Sequence, residues 1–285
     1  MTAAELLALA ASGAPLAEQR AALTATLADR GVGAGTIAHL MEHVRDGVIL
    51  RRATDERRSH IGGHGLLPAG EDWPRDPNGH PMTFIAALDL AELPPVEPLP
   101  GDGTLAVFWD FMFHELHAMD FVAGTRAFWA PPGQELREQP QPDGSHYHEL
   151  ETLPLSGVAM PVAGEPQKVD QKLGDAPDKQ ALFDAMNELA PALYGHQLLG
   201  SSRDIQGPVL DEIPYWFQHT LPETQARFSD EERTGEGWTL LAQIEEDRDV
   251  PSLAIGDGGN LYFVIPEADF PARRFDRVMG IMQCH

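Results

Sequence analysis

The spacing of apolar and polar positions changes once, near the N-terminus of the chain. In the N-terminal stretch, apolar side chains recur at intervals of three and four, as at Ile37, Leu40 and Val44, which predicts short amphipathic helices. Further on, apolar residues form short β-prone runs that are interrupted by glycine and proline. The pattern therefore predicts a helical N-terminal cap over residues 1–46 and a β-rich region over 47–284.

Seven runs in the β-rich region have the length and composition of strands. They are GVILRR (47–52), PMTFIAALDL (81–90), GTLAVFW (103–109), AGTRAFWA (123–130), GWTLLAQIEE (237–246), GNLYFVI (259–265) and FDRVMGIMQC (275–284). Residues 131–178 are rich in proline and acidic side chains, which predicts an extended crossing. A helix is predicted at about 178–193, because Leu182, Met186 and Leu189 share one face.

Two parts of the β-rich region resemble each other. A shift of 156 residues places TFIAALDL (83–90) on TLLAQIEE (239–246), and each copy then runs through a proline-containing segment to an Asp-Gly turn and another strand. Glycine tolerates positive φ, and aspartate hydrogen-bonds its own backbone two residues on, so this turn suits a connection between strands. The sequence therefore predicts an internal duplication, with repeat halves at about 47–130 and 195–284.

Such short copies cannot each bury a sheet face alone, so the two halves are expected to pack together. The predicted fold class is α+β: two internally duplicated β-rich halves packed as one body, with N-terminal helices and a helix between the halves. A pseudo-twofold arrangement would leave a cleft at the seam between the halves, where a ligand could bind.

The net charge of the chain limits the classes of partner that it is expected to bind. It carries 44 Asp and Glu against 20 Lys and Arg, a formal net charge of −24. Such a chain repels phosphate backbones and anionic lipids, so neither nucleic acid nor a membrane surface is an expected partner, whereas a basic protein is. The N-terminus lacks the basic residues of a secretory signal, and Cys284 is the only cysteine, so a cytoplasmic location is predicted.

Histidine clusters raise the question of a metal site. In FHELHAMD, His114 and His117 are three residues apart, whereas the HExxH zinc motif needs four, so a turn between strands is the better interpretation. In SHYHELE, His146 and His148 would share one face of a strand, as in cupin metal sites, but the second cupin motif is missing. The sequence therefore predicts no metal site and no cofactor, with metal binding by His146 and His148 as an alternative for elemental analysis.

Catalytic motifs are absent from the sequence. There is no G-x-S-x-G elbow and no Walker sequence, and GVGAG (31–35) follows a helix rather than a strand. Cys284 lies beside the last residue, where a nucleophile would be poorly positioned. No catalytic residue is predicted, and enzymatic activity is left undecided.

Candidate binding residues come from a long loop and from its counterpart in the second half. The loop IGGHGLLPAGEDWPRDPNGHPM (61–82) is punctuated by glycine and proline, and long ordered loops in compact domains are often functional. Its tryptophan could equally plug the core. The candidate binding set is His60, His64, Trp73, Arg203, Gln206 and Asp257.

The order of these motifs over most of residues 47–284 resembles the YwqG-like family of uncharacterised bacterial proteins. The matching positions are Gly62, Gly63, Pro68, Trp73, Pro74, Gly200, Gln206, Gly256 and Asp257. Ala87 stands where the family has glutamine in the first repeat, whereas Gln243 is kept in the second. A site built symmetrically from both copies is therefore not implied.

The resemblance implies a domain of unknown function with a duplicated β-rich core and no established catalytic residues, and for some relatives an immunity role against a bacterial toxin. The leading hypothesis is a soluble, non-enzymatic binding protein, immunity-like, that binds a basic partner through its acidic surface or the seam. The alternative is a small-molecule sensor or enzyme with a site at the seam, near His60, His64, Trp73 and Gln206. The sequence leaves the oligomeric state open.

Overall fold

The computed structural model describes residues 1–111, 120–164, 177–247 and 249–285. Within them the chain forms a ten-stranded sheet, a two-stranded sheet and seven α-helices. The helices are α1 (Ala3–Ala11), α2 (Leu16–Asp29), α3 (Ala34–Glu42), α4 (Lys179–Leu193), α5 (Ile213–His219), α6 (Pro222–Gln225) and α7 (Asp269–Ala272). The strands are β1 (Val44–Arg52), β2 (His60–Ile61), β3 (Gly65–Pro68), β4 (Thr83–Asp89), β5 (Thr104–Trp109), β6 (Thr125–Ala130), β7 (Leu136–Gln139), β8 (Leu153–Ala163), β9 (Gln197–Leu199), β10 (Trp238–Glu245), β11 (Asn260–Pro266) and β12 (Met279–Gln283).

The N-terminal helices and α4 cover the middle of the large sheet. A capping box starts α1, because Thr2 Oγ1 accepts the Glu5 N–H while the Glu5 carboxylate accepts the Thr2 N–H. Buried side chains of α1–α4 and of β1 and β8 form one hydrophobic cluster. The predicted α+β class, with helices at the N-terminus and between the sheet regions, is confirmed. Among the described helices, none combines the length and the apolar composition that a bilayer crossing requires.

The large sheet has the strand order β12-β11-β10-β9-β1-β8-β2-β4-β5-β6, and its neighbours pair antiparallel. At its centre, β1 pairs with β8 from Val44 opposite Ala163 to Arg52 opposite Leu155. The stretch 131–178, predicted as an extended crossing, thus contributes a central strand of eleven residues, together with β7 of the small sheet.

Each side of this centre carries a four-stranded wing. The first wing is β2-β4-β5-β6, and the second wing is β9-β10-β11-β12. Thr83 pairs with Trp109 in the first wing and Thr239 with Ile265 in the second, and in each ladder a register shift follows one pair further on. Thr239 and Ile265 lie 156 residues after Thr83 and Trp109, which is the offset found in the sequence. The duplication stays a prediction, and this shared register with its shared irregularity supports it.

The two wings pack face to face. Trp109 of β5 lies against Phe263 of β11, with ring centroids 6.4 Å apart, and Gly280 of β12 donates its N–H to Thr125 Oγ1 of β6 at 2.8 Å. A Cβ atom at position 280 would overlap the Trp109 ring, so only glycine allows this approach. The largest hydrophobic cluster of the described residues fills this interface. The seam cleft expected from a pseudo-twofold arrangement is therefore replaced by core packing between these strands.

Candidate functional site

The β4–β5 hairpin of the first wing and the β10–β11 hairpin of the second wing each end in a cleft lined by charged side chains. Cleft A, of about 1060 Å³, lies at the end of the β4–β5 hairpin. It is lined by residues from five chain segments, among them Arg57, Arg58, His60, His64, Asp89, Asp102, Glu138, Glu149 and Glu151. Of the six candidate binding residues, His60 and His64 line this cleft.

The two histidines of cleft A are held differently. His60 is half-buried, and its Nδ1 lies 2.8 Å from the Gly62 carbonyl oxygen. A carbonyl only accepts, so Nδ1 of His60 carries the proton and Nε2 is the acceptor of the neutral ring. His64 is exposed, with Nε2 3.9 Å from Glu149 Oε1. Cleft A therefore presents one fixed imidazole and one imidazole free to reorient.

Two acids hold an arginine at the rim of cleft A. Arg58 Nε lies 2.9 Å from Asp89 Oδ2 and 3.0 Å from Glu92 Oε1, and the Arg58 and Ser59 N–H groups also point at Glu92. Burial raises the pKa of Glu92, but the hydrogen bonds from Arg58 and Ser59 outweigh it and hold this pKa below its usual value. Because its guanidinium group already pairs with Asp89 and Glu92, Arg58 is not expected to bind an anionic ligand.

Two further acids of cleft A have no counter-ion within the part of the chain that the structure describes. Asp102 and Glu138 are exposed, and no cation in the described part of the chain forms an ion pair with either carboxylate. Asp102 lies in the Asp-Gly turn before β5, and Glu138 lies on β7 of the small sheet. These two carboxylates give cleft A negative charge that no cation of the described residues neutralises.

Trp73 lies in the core beside the first wing. Its ring meets Phe108 edge to face, with centroids 5.3 Å apart, and its Nε1–H donates to the Met82 carbonyl at 2.9 Å. Gly65 allows this position, because a Cβ there would overlap the indole. The hydrophobic cluster around Trp73 covers the outer face of β4 and β5. The structure therefore places Trp73 as the core plug considered in the sequence analysis.

Cleft B, of about 510 Å³, lies at the end of the β10–β11 hairpin. Its lining includes Arg203, Glu245, Glu246, Asp247, Leu253, Gly259 and Asn260. Arg203 Nη2 lies 2.8 Å from Glu245 Oε1. Glu245 and Asn260 occupy the same ladder positions as Asp89 and Thr104, which line cleft A. The two hairpins thus end in comparable acid-lined clefts.

Buried His196 forms hydrogen bonds to two acidic residues of cleft B, Glu245 and Asp247. Nδ1 of His196 accepts the Glu245 N–H at 3.1 Å, so its proton is on Nε2, which donates to Asp247 Oδ2 at 3.1 Å. This hydrogen bond lowers the pKa of Asp247 against a smaller rise from burial.

Gln206 and Asp257 lie near cleft B but do not line it. Gln206 is exposed, and its N–H points at the Oε1 atom of Gln283 at 3.2 Å. Asp257 is exposed in its turn, where its carbonyl accepts the His285 N–H at 3.2 Å. The six candidates are therefore divided between cleft A, cleft B, the core and the surface.

One segment joins the two clefts. Glu149 and Glu151 line cleft A, and Tyr147, just before them, hydrogen-bonds Ala254 of cleft B through its hydroxyl. The Ser252 N–H donates to Glu151 Oε2 at 3.1 Å. Clefts A and B therefore adjoin across this contact.

A second group of titratable residues lies outside both clefts. Asp76, His80 and His146 place one ligand atom each within 4.8 Å of the others. The sequence paired His146 with His148 on a strand, but these residues are not in a strand, and His148 is exposed and stacked on Tyr147. The strand considered for this pair is not formed, because the local backbone turns here, and metal binding by His146 and His148 stays an alternative. His114 and His117 lie outside the described residues.

Acidification is expected to destabilise the fold. Besides Asp247, hydrogen bonds and ion pairs outweigh the effect of burial and hold the pKa values of Asp76, Glu92 and Glu232 below their usual range. The unfolded chain therefore binds more protons, so the free energy of unfolding should fall as the pH drops below about 4.3. Urea unfolding between pH 6 and pH 3.5 measures this.

A matched pair of variants checks the assignment. Glu92→Gln should flatten the loss of stability with falling pH, whereas Glu18→Gln, on an exposed position of α2, should not. Equal pH profiles for the wild type and both variants would contradict the role given to Glu92.

The chain was compared with known proteins. A family model described as "Domain of unknown function (DUF1963)" matches residues 59–284, which contain both wings, β8, cleft B and the lining of cleft A apart from Arg57 and Arg58. A search of curated proteins finds no match to this chain. The narrower YwqG-like designation stays a prediction. Because the matched region covers most of the chain, this protein belongs to the family of the domain of unknown function DUF1963.

Proposed function

We propose that this protein is a non-enzymatic binding protein whose clefts A and B together take a lysine- and arginine-rich segment of a basic partner protein. The observation that carries the proposal is the excess of carboxylates in two adjoining clefts. A cytoplasmic, immunity-like role, in which the partner is a basic toxin, is the setting we propose for this binding.

The charges of both clefts have the same sign. Five carboxylates and two guanidinium groups line cleft A, and three carboxylates and one guanidinium line cleft B. With the histidines neutral, each cleft carries a net negative charge. Concave surfaces lined by one sign of charge focus the field and raise the association rate of an oppositely charged partner. The surrounding net charge of −24 adds to this attraction at long range.

The available carboxylates suit cationic side chains. Asp102 and Glu138 approach cleft A from two different elements, so a partner's ammonium or guanidinium groups could contact both without breaking an existing ion pair. Asp89 and Glu245 are already engaged with Arg58 and Arg203 and would contribute through their field alone. Binding should therefore depend on Asp102 and Glu138 more than on the acids already paired.

The small-molecule alternative at the seam has less support. Trp109, Phe263 and Gly280 occupy the interface between the wings, and the packing there is that of a protein core. A site for a small ligand would need a cleft at this interface. We therefore place the binding surface at the hairpin ends rather than at the seam.

A charge-reversal experiment tests the proposal. A fluorescently labelled oligolysine peptide serves as the probe, and anisotropy measures its affinity for the full chain at low and high salt. The wild type should bind it more weakly as salt rises, because the contacts are exposed ion pairs. The double variant Asp102→Lys/Glu138→Lys should bind about 10-fold more weakly or worse at low salt, with less salt dependence, since two favourable contacts become repulsive.

A matched control separates the clefts from net charge. Glu18→Lys/Asp29→Lys makes the same change of charge on exposed positions of α2, away from both clefts. Its affinity should stay close to that of the wild type. Equal losses in both double variants, or affinity that does not change with salt, would sink the proposal.

A further inference from the structure

We propose that Asp76, His80 and His146 form a binding site for one divalent transition-metal ion, with Asp110 as the residue that orients His146. The site is separate from clefts A and B and does not depend on the proposed function. It joins the turn before β4 to the segment before β8, two parts of the chain that are distant in sequence.

The turn before β4 fixes the carboxylate. Asp76 Oδ1 accepts the N–H groups of Asn78 at 2.9 Å and His80 at 2.7 Å, an Asx-type turn that holds the side chain in one orientation. The Asp76 side chain is 1% exposed, whereas the His80 side chain beside it is 43% exposed. A buried carboxylate oxygen is thus presented towards an imidazole that solvent can reach.

The two imidazoles come together over this carboxylate. The His80 and His146 rings lie 4.0 Å apart between centroids, and His80 Nδ1 lies 3.3 Å from Asp76 Oδ2. A hydrogen bond between charged partners would measure about 2.7–2.9 Å. Two ligands of one tetrahedral ion, bound at about 2.1 Å each, are about 3.4 Å apart. The 3.3 Å between His80 Nδ1 and Asp76 Oδ2 is long for a hydrogen bond between charged partners and close to the spacing of two ligands of one ion.

Asp110 completes the environment of His146. Its Oδ1 lies 3.4 Å from His146 Nδ1, and both side chains are largely buried. Histidine ligands commonly donate one ring N–H to a carboxylate, which fixes the tautomer and leaves the other nitrogen for the metal. With Nδ1 facing Asp110, Nε2 of His146 is the nitrogen that would bind the ion.

The ligand set selects the class of metal. Two imidazoles and one carboxylate suit zinc or another first-row transition ion, whereas calcium and magnesium prefer oxygen ligands. Three protein ligands leave at least one coordination position for water or a small molecule. The exposure of His80 gives the ion a path to this position from solvent.

Zinc binding to the full chain tests the site. After chelator treatment, competition with a chromophoric chelator should give one tightly bound Zn²⁺ per chain, and Co²⁺ in its place should show the visible absorption of a four-coordinate site. His80→Ala and His146→Ala should each weaken zinc binding by at least about 10-fold and abolish this absorption, since even residues outside the coordination sphere typically contribute this much. Asp110→Asn should weaken binding by about 10-fold while retaining the cobalt spectrum.

Two controls locate the ion. His148→Ala changes an exposed histidine two residues from His146, and His39→Ala disrupts the other histidine-containing cluster, His39, Glu42 and His43 at the end of α3. Neither control should change the affinity. The proposal is overturned if the wild type binds no stoichiometric zinc, if His80→Ala and His146→Ala bind it as tightly as the wild type, or if His39→Ala alone removes the binding. Circular dichroism of each variant shows that lost binding is not lost folding.

Discussion

Replacement of Arg277 by methionine should lower the free energy of unfolding by about 3–5 kcal/mol, because it removes the counter-ion of half-buried Glu232 and one of the two guanidinium partners of buried Asp269. Arg277 is 4% exposed, and its Nη1 donates to both oxygens of Asp269 at 2.8 and 2.9 Å. Its Nη2 donates to Glu232 at 2.8 Å, and its guanidinium lies 4.3 Å from the Phe228 ring centroid. Burial disfavours the charge, but Glu232 and Asp269 outweigh it and raise the pKa of Arg277.

The site of this network explains the size of the effect. Asp269 begins α7 and is fully buried, and Glu232 belongs to the short turn before β10, so Arg277 ties two connections of the second wing together. Methionine would keep the packing against Phe228 but would leave Asp269 with Arg274 as its remaining guanidinium partner in the described chain. Lysine would keep the charge but lose the two-pronged geometry, so Arg277→Lys should fall between methionine and the wild type.

A surface arginine provides the control for Arg277. Arg227 pairs with Asp276 at 3.0 Å, but the two side chains are 35% and 57% exposed. Arg227→Met should therefore cost less than about 1 kcal/mol. Urea unfolding followed by circular dichroism measures all three variants. A loss for Arg277→Met no larger than that for Arg227→Met would contradict the role of the buried network.

The sequence predicted strands well where β-prone runs are uninterrupted. All seven runs contain or overlap strands of the large sheet, because alternation and apolar content follow from burial of their faces. Outside these runs lie the short strands β2 and β9 and also β8, which carries Pro154, Gly157 and Pro161 and was assigned to a crossing. Proline removes a ladder donor and glycine weakens a strand, so the local pattern pointed away from the sheet. Pairing with β1 along its whole length overrides that preference.

The substitution of Ala87 for the expected glutamine has a structural reason. In the second wing, Gln243 Oε1 accepts the Arg203 N–H at 2.8 Å, and the Tyr262 hydroxyl donates to the Arg203 carbonyl at 2.6 Å, so the loop over this wing is held by polar groups. The first wing has Ala87 at the matching position, under the Trp73 cluster. Because the side chains over Ala87 are apolar, a glutamine at position 87 would be buried without hydrogen-bond partners like those of Gln243.

The candidate sites depend on contacts that no local pattern contains. The acids at the hairpin ends could be located from the sequence, since Asp89 and Glu245 close equivalent strands. Their partners across the clefts come from the segment before β8, which the sequence did not place in the sheet region. Likewise, His146 meets His80 only because β8 returns to the centre of the sheet. Histidine spacing along the chain pointed instead to His148.

The second large effect is expected at Trp73. Trp73→Ala should lower the free energy of unfolding by about 3–5 kcal/mol, because it removes a buried indole and leaves a cavity beside Phe108. It also leaves the Met82 carbonyl without its donor. Urea unfolding followed by circular dichroism measures the loss, and the oligolysine probe measures binding in the folded variant.

Both readouts are needed, because the sequence offered Trp73 either as a binding residue or as a core plug. A core plug predicts a large loss of stability with unchanged affinity for the probe, since Trp73 does not line cleft A. The control is Trp129→Ala, which removes a half-buried indole that contacts Arg273 and the Asp102 carbonyl, and which should cost less stability. If Trp73→Ala instead weakened probe binding while leaving the stability near that of the wild type, Trp73 would be a ligand contact. The outer face of the first wing would then be part of the binding surface rather than its support.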